Sequence, residues 1–150
     1  MKFNFTIITA KRKLFSLLIG LLLSLSVKAQ TLLIFGGDKH DVFLGCLNCN
    51  KYESSSIWNK YGENGSKYNS ESIWNKYGTY GGKYSSYSPF NKYATSPPVI
   101  VDSKGNFYGY FTTNKYNSKR TTNELALLIL DNWETISEDV GEAYETIFQR

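Results

Sequence analysis

The chain has 150 residues, of which 41% are hydrophobic, and it carries 17 basic and 13 acidic side chains. Five of the basic residues precede position 30, so the remainder carries 12 basic and 13 acidic side chains, a net charge of −1. Without a positive field over the whole mature chain, we expect no nucleic-acid partner. About 120 residues after position 29 suffice for one domain, so we predict a single mature domain over 30–150.

Residues 1–29 have the composition of a signal peptide. A basic start is followed by an uncharged, mostly apolar run over 14–27. As a helix this run spans about 21 Å, which is short for a hydrocarbon layer about 30 Å thick. Small residues at Val27 and Ala29 place the cut before Gln30. We therefore expect an exported protein, periplasmic or extracellular, with no stable membrane span after cleavage; an uncleaved membrane anchor is the alternative.

Two apolar segments, 31–35 and 42–44, flank a turn-forming sequence and predict a first β-hairpin. Cys46 and Cys49 follow it, and in an oxidising compartment such close thiols tend to form a disulfide. The alternatives are covalent thiol chemistry or a metal site that recruits His40, the only histidine, with its neighbours Asp38 and Asp41. The ligand set of a closed structural zinc site is missing. We expect no metal and no cofactor.

The middle of the chain contains three similar twelve-residue segments, at 51–62, 67–78 and 83–94, which repeat with a period of 16 residues. Seven of the twelve aligned columns are identical in all three copies, so the repeat is not a chance feature. In each copy a serine predicts the N-cap of a short helix: Ser54, Ser70 and Ser86. Such short helices are unstable alone. We therefore expect the bulky residue of each copy to be a buried structural anchor: Trp58, Trp74 and Phe90.

Each copy also contains two tyrosines that follow lysines, and polar residues separate these rings. One interpretation is that the rings pack on the domain as structural staples. The other is an exposed binding face for sugars, peptidoglycan or a partner protein, as in Tyr-rich paratopes. Stacking on single-stranded nucleic acid is disfavoured, because the segment carries a net charge of only +3. The candidate binding residues are Tyr52, Tyr61, Tyr68, Tyr77, Tyr84 and Tyr93.

After the repeats, residues 99–112 predict a second hairpin with Gly105 in its turn. Because a lone hairpin is marginal, we expect the two hairpins to pair into a small antiparallel sheet. Residues 121–149 have helical periodicity, with a capping box at Thr121 and a second N-cap at Ser137. This acidic tail is interpreted as the solvated face of helices packed on the sheet, or alternatively as a docking surface for lysine-bearing repeats. The predicted fold class is α+β.

Three blocks of sequence carry a resemblance to known proteins: Gly-Cys-Leu-Asn-Cys, the tandem Ser-Ile-Trp-Asn-Lys-Tyr-Gly repeats, and Pro-Pro-Val-Ile-Val-Asp-x-x-Gly-Asn-Phe-Tyr-Gly. In this order, over residues 35–114, they resemble a family of small exported bacterial proteins whose activity is not established. The resemblance implies a bacterial source and export, and it implies no activity.

The nucleophile-elbow, zinc-protease and phosphate-loop motifs are missing from the sequence. The sequence therefore favours an exported, non-enzymatic binding or envelope-associated protein whose partner is a cell-envelope glycan or another envelope protein. The alternative is a small redox, metal-binding or hydrolytic protein that uses Cys46, Cys49 and His40. A third interpretation has the repeats acting as self-association units.

Overall fold

Four strands form one antiparallel sheet in the computed structural model, which describes residues 29–149. The strands are β1 (Leu32–Gly36), β2 (Val42–Cys46), β3 (Val99–Asp102) and β4 (Phe107–Tyr110), followed by the helices α1 (Glu124–Glu138) and α2 (Val140–Phe148). The strand order β2-β1-β3-β4 joins the two predicted hairpins through β1 and β3. The α+β prediction is therefore confirmed. All of the predicted signal peptide before Ala29 lies outside the described residues.

The sheet buries one face because apolar side chains alternate along its central strands. Ile34 in β1 and Ile100 in β3 are opposite one another and completely buried. The pairing of β1 with β2 shifts register after Ile34, where Leu44 is the extra residue of a bulge and is also completely buried. This buried face supports the repeats, whose Ile57 belongs to the same core.

The repeats form a continuous series of hydrogen-bonded turns instead of short helices. In the first copy the backbone N–H of every third residue donates to the carbonyl three residues earlier; the donors are Glu53, Ser56, Asn59 and Gly62. One wider turn, from the N–H of Ser66 to the carbonyl of Gly62, completes the 16 residues, and the pattern then begins again. Residues 50–94 are hereafter called the turn solenoid.

The prediction that Ser54, Ser70 and Ser86 are helix N-caps is wrong. The serine two positions later in each copy accepts a hydrogen bond from the anchor residue's backbone N–H, as from Trp58 to Ser56 Oγ at 3.1 Å. The same bond recurs at Ser72 and Ser88. Serine side chains that bond the backbone locally offer the chain an alternative to helix, which here gives isolated turns.

Each 16-residue unit of the turn solenoid forms one coil. The coils stack so that the three anchor rings form one column. The ring centroids of Trp58 and Trp74 are 6.2 Å apart, and those of Trp74 and Phe90 are 5.8 Å apart. All three side chains are at most 5% exposed. Each coil alone has little to bury, so stacking supplies the core that the repeats share.

The two helices cover the ends of this aromatic column. Trp133 of α1 stacks on Phe90 with centroids 4.6 Å apart, whereas Tyr144 and Phe148 of α2 contact Trp58 at 6.0 and 5.6 Å. Apolar side chains of the predicted helical tail thus cover the turn solenoid at both ends. Within residues 29–149, no helix is long and apolar enough to cross a membrane.

Both predicted helix N-caps lie two residues before the observed ones. The N-cap of α1 is Asn123, whose side chain accepts from Ala126 N–H, whereas Thr121 Oγ1 accepts from Asn123 N–H just before the helix. The N-cap of α2 is Asp139, and Ser137 belongs to the last turn of α1. Asp and Asn are as effective as Ser at the N-cap position, so neighbouring residues in the sequence are equally good candidates for the cap.

Candidate binding surface

The six candidate tyrosines all lie on the outside of the molecule. Each is between 78% and 89% exposed: Tyr52, Tyr61, Tyr68, Tyr77, Tyr84 and Tyr93. Equivalent residues of successive coils lie above one another, because the anchor rings do. The tyrosines therefore fall into two columns, one of Tyr52, Tyr68 and Tyr84 and one of Tyr61, Tyr77 and Tyr93. The structure buries one aromatic residue per coil and exposes two.

Asparagine side chains fix the backbone at the second column. Asn75 Oδ1 accepts from Tyr77 N–H at 3.1 Å, and Asn75 Nδ2 donates to the carbonyl of Asn69 at 3.0 Å. Asn59 and Asn91 make the same pair of bonds in their coils. Because both ends of each amide are used, the turn that presents the tyrosine has little freedom left. The exposed rings thus stand on a rigid backbone.

A lysine accompanies each exposed tyrosine. In five of these pairs the Lys Nζ lies 4.9 to 5.6 Å from the centroid of the next residue's ring, and these lysines are Lys51, Lys60, Lys67, Lys76 and Lys92. This distance is within the range of a cation–π contact. The tyrosine columns therefore present ammonium groups together with phenol rings.

Two adjoining grooves run between the turn solenoid and the junction of the two helices. One, of about 720 Å³, is lined by Tyr68 and Tyr77 and by Glu138 on the opposite side. The other, of about 510 Å³, is lined by Tyr61, by Tyr68 again, and by Glu138 and Asp139. Tyr68 and Glu138 line both. We call this pair of cavities the tyrosine groove.

Charges of both signs line the tyrosine groove. Lys60, Lys67 and Lys76 lie on the solenoid side, and Glu138 and Asp139 lie on the helix side. Hydrogen bonding by the backbone N–H of Glu142 lowers the pKa of Asp139, and Lys60 and Lys67 lower it further against the opposing effect of burial. Asp139 therefore stays ionised at neutral pH and offsets part of the positive charge of the lysines.

The remaining aromatic residues of the segment have structural roles. Tyr80 is half-buried against Gly36, whose missing side chain leaves room for the ring. Tyr87 donates a 3.1 Å hydrogen bond from its hydroxyl to Asp38, and this bond raises the pKa of Tyr87. Neither is among the six candidates.

Tyr116 is a further surface tyrosine, which the 16-residue repeat does not predict. It is 97% exposed, and its N–H donates to Asn114 Oδ1 at 3.0 Å, as in the turns of the second column. The signal is the tripeptide Asn-Lys-Tyr, which occurs once in each of the three copies and again at 114–116. Only this tripeptide recurs there, so the 16-residue period does not include Tyr116.

The alternative catalytic set is not assembled in the fold. Cys46 and Cys49 form a disulfide with their Cα atoms 5.5 Å apart, and Cys46 is completely buried. His40 Nε2 lies 3.1 Å from the carbonyl oxygen of Pro97, and its ring contacts Tyr110. His40 precedes β2 and Cys46 ends it, so a five-residue strand, about 15 Å long, separates them. Among residues 29–149, no group of three or more His, Cys, Asp or Glu is placed to hold a metal ion.

No protein-family model, curated protein or solved structure matches this chain. The resemblance of residues 35–114 to small exported bacterial proteins therefore stays a prediction. Functional assignment rests on the residues of the tyrosine groove and the tyrosine columns themselves.

Proposed function

We propose that this protein is an exported, non-enzymatic binding protein of the cell envelope that holds its partner on the exposed tyrosines of the turn solenoid. The observation that carries the proposal is that the aromatic residues of each coil have two different environments. One aromatic ring is buried as an anchor, and two are held in water beside lysines. A regular set of large exposed rings is typical of interaction surfaces.

The rigidity of the turns supports a binding role. A protein that orders flexible side chains on binding loses affinity to conformational entropy. Tyrosine has few rotatable bonds, and here Asn59, Asn75 and Asn91 already hold the backbone on which three of the rings stand. The contact surface is thus organised before the partner arrives, which is the property that favours tyrosine in paratopes.

Export is supported by two independent features. Residues 1–29 have the sequence pattern of a signal peptide. The disulfide between Cys46 and Cys49 is of the kind that persists in oxidising compartments. A cell-envelope glycan or another envelope protein is then the partner that the tyrosine columns would meet.

Sedimentation with an envelope fraction tests the proposal. The mature chain from Gln30 onward is mixed with envelopes, and the bound fraction is compared with that of the triple variant Tyr61→Ser, Tyr68→Ser, Tyr77→Ser. Each ring contributes stacking area at the groove, so we expect the apparent affinity to fall by at least about tenfold. Tyr116→Ser is the matched control, because Tyr116 is equally exposed but lies outside the groove. Unchanged binding by the triple variant, or no binding by the wild type, would overturn the proposal.

A further inference from the structure

Resting on the proposed function, we infer that the tyrosine groove takes an uncharged glycan chain, in preference to an anionic or a cationic polymer. Three rings are arranged along two continuous cavities, and charges of both signs surround them.

The rings offer stacking surfaces along one path. Tyr61 and Tyr68 line the cavity of about 510 Å³, and Tyr68 and Tyr77 line the cavity of about 720 Å³. The face of a pyranose ring that carries axial C–H groups is apolar and weakly positive, and it packs on the negative face of an aromatic ring. The sugar hydroxyls then point to the rim, where the tyrosine hydroxyls and charged side chains exchange hydrogen bonds with them.

The charges disfavour polymers of either sign. A polyanion drawn to Lys60, Lys67 and Lys76 would place negative groups beside Glu138 and Asp139. A polycation drawn to the two carboxylates would meet the three ammonium groups. Mismatched charges in an interface suppress the wrong partner. Hydroxyl and acetamido groups, by contrast, both donate and accept, so they can pair with ammonium and carboxylate alike.

The size and continuity of the groove favour a chain of several sugars. The cavities of about 720 and 510 Å³ each fall in the range of small-ligand sites. They share Lys67, Tyr68, Ser137 and Glu138, so an occupant can pass from one to the other. A linear glycan that contacts both cavities gains affinity from each, because the second contact is made within one complex.

Calorimetric titration with defined oligosaccharides tests the inference. The probes are four neutral hexasaccharides (of N-acetylglucosamine, of β-1,4-glucose, of α-1,4-glucose and of mannose), an anionic galacturonic acid hexamer and a cationic glucosamine hexamer. We expect at least one neutral probe to bind the mature chain more tightly than either charged probe. Tyr68→Ser should weaken that binding by at least about tenfold, because Tyr68 lines both cavities, and Tyr116→Ser should leave it unchanged. Binding of no neutral probe, or tighter binding of a charged one, overturns the inference.

Glu138→Gln separates the charge argument from the stacking argument. The variant removes one carboxylate that lines both cavities, so the affinity for the galacturonic acid hexamer should rise relative to the affinity for the neutral probe. No gain for the anionic hexamer relative to the neutral probe would contradict the charge argument.

Competition in the envelope assay distinguishes failure of this inference from failure of the proposed function. If Tyr68→Ser releases the protein from envelopes but every neutral hexasaccharide fails to compete, the surface binds a different partner and only the inference falls. If all three groove tyrosines can be replaced without loss of envelope binding, the proposed function falls with it.

Discussion

The indole Nε1 of Trp74 donates a 2.6 Å hydrogen bond to the backbone carbonyl of Ile57, which lies in the preceding coil. Trp58 makes the corresponding bond to the carbonyl of Leu47, at 2.8 Å. These rings therefore fill the core of the turn solenoid and also satisfy a buried backbone acceptor of the layer before them. Phe90 has no such donor, and its coil is instead closed by the stacked ring of Trp133.

Replacement of Trp74 by phenylalanine should destabilise the protein by about 1–3 kcal/mol. Most of this loss comes from the carbonyl of Ile57, which stays buried without its partner. Urea unfolding followed by tyrosine and tryptophan fluorescence measures it. Trp133→Phe serves as a comparison, because Trp133 is only half-buried and packs by stacking. Equal losses in the two variants would show that the hydrogen bond contributes nothing.

Gly81→Ala should destabilise the turn solenoid more strongly than alanine at a glycine of an open turn. A Cβ on Gly81 would lie 2.3 Å from the carbonyl oxygen of Asn75 and 2.5 Å from that of Ile73, so backbone must move. Gly105→Ala is the control: its Cβ would meet nothing within 4 Å, and only the positive φ of 82° opposes it, at about 1 kcal/mol. The midpoints of thermal unfolding of the two variants are compared; a smaller shift for Gly81→Ala would contradict the close approach of Gly81 to the backbone of its own coil.

Stability should fall in acid partly because of Asp102. Burial favours the neutral form, but hydrogen bonds from Asn106, from the backbone N–H of Lys104 and from Tyr108 outweigh it and lower the pKa of Asp102 below its ordinary value of 3.8. A carboxylate with a depressed native pKa stabilises the fold fully above the unfolded-state pKa, and this stabilisation is lost as pH falls through the native pKa. Gln30 also donates to this carboxylate, which links the residues before β1 to the end of β3.

Thermal unfolding between about pH 7 and pH 2 measures this contribution. Asp102→Asn should be less stable than the wild type at neutral pH, and the difference should shrink below the ordinary pKa of the carboxyl. The Asp139→Asn variant should behave in the same direction, since the pKa of Asp139 is also lowered. Parallel pH profiles for wild type and Asp102→Asn would contradict the assignment.

Removal of the disulfide should lower the free energy of unfolding by about 2 kcal/mol, because the cross-link closes only a short loop between Cys46 and Cys49. The double variant Cys46→Ala, Cys49→Ala and the reduced wild type should show similar losses in urea unfolding. Envelope binding should persist in both, because neither cysteine lines the tyrosine groove. Loss of binding without loss of stability would indicate that the thiols take part in function.

Patterns that act over short distances were predictable from the sequence. Apolar segments next to turn-forming residues located the strands around Ile34 and Ile100, and helical spacing located the tail. The exact helix N-caps and the serine that bonds the backbone in each turn were not predictable. In the first copy, for example, Ser54 and Ser56 offer similar local hydrogen bonds. The choice between them depends on which one faces the core, and Ser56 is completely buried.

By itself the sequence determined that this chain has three equivalent units, a pair of hairpins and an acidic helical tail, because periodicity and turn chemistry are local properties. Only the tertiary structure decided that the six repeat tyrosines face water instead of packing on the domain, and that Glu138 and Asp139 lie across a groove from Tyr68. The physical reason is that the two sides of the groove are about 70 residues apart in the chain. Stacked anchor rings and the helices that cover them bring these sides together.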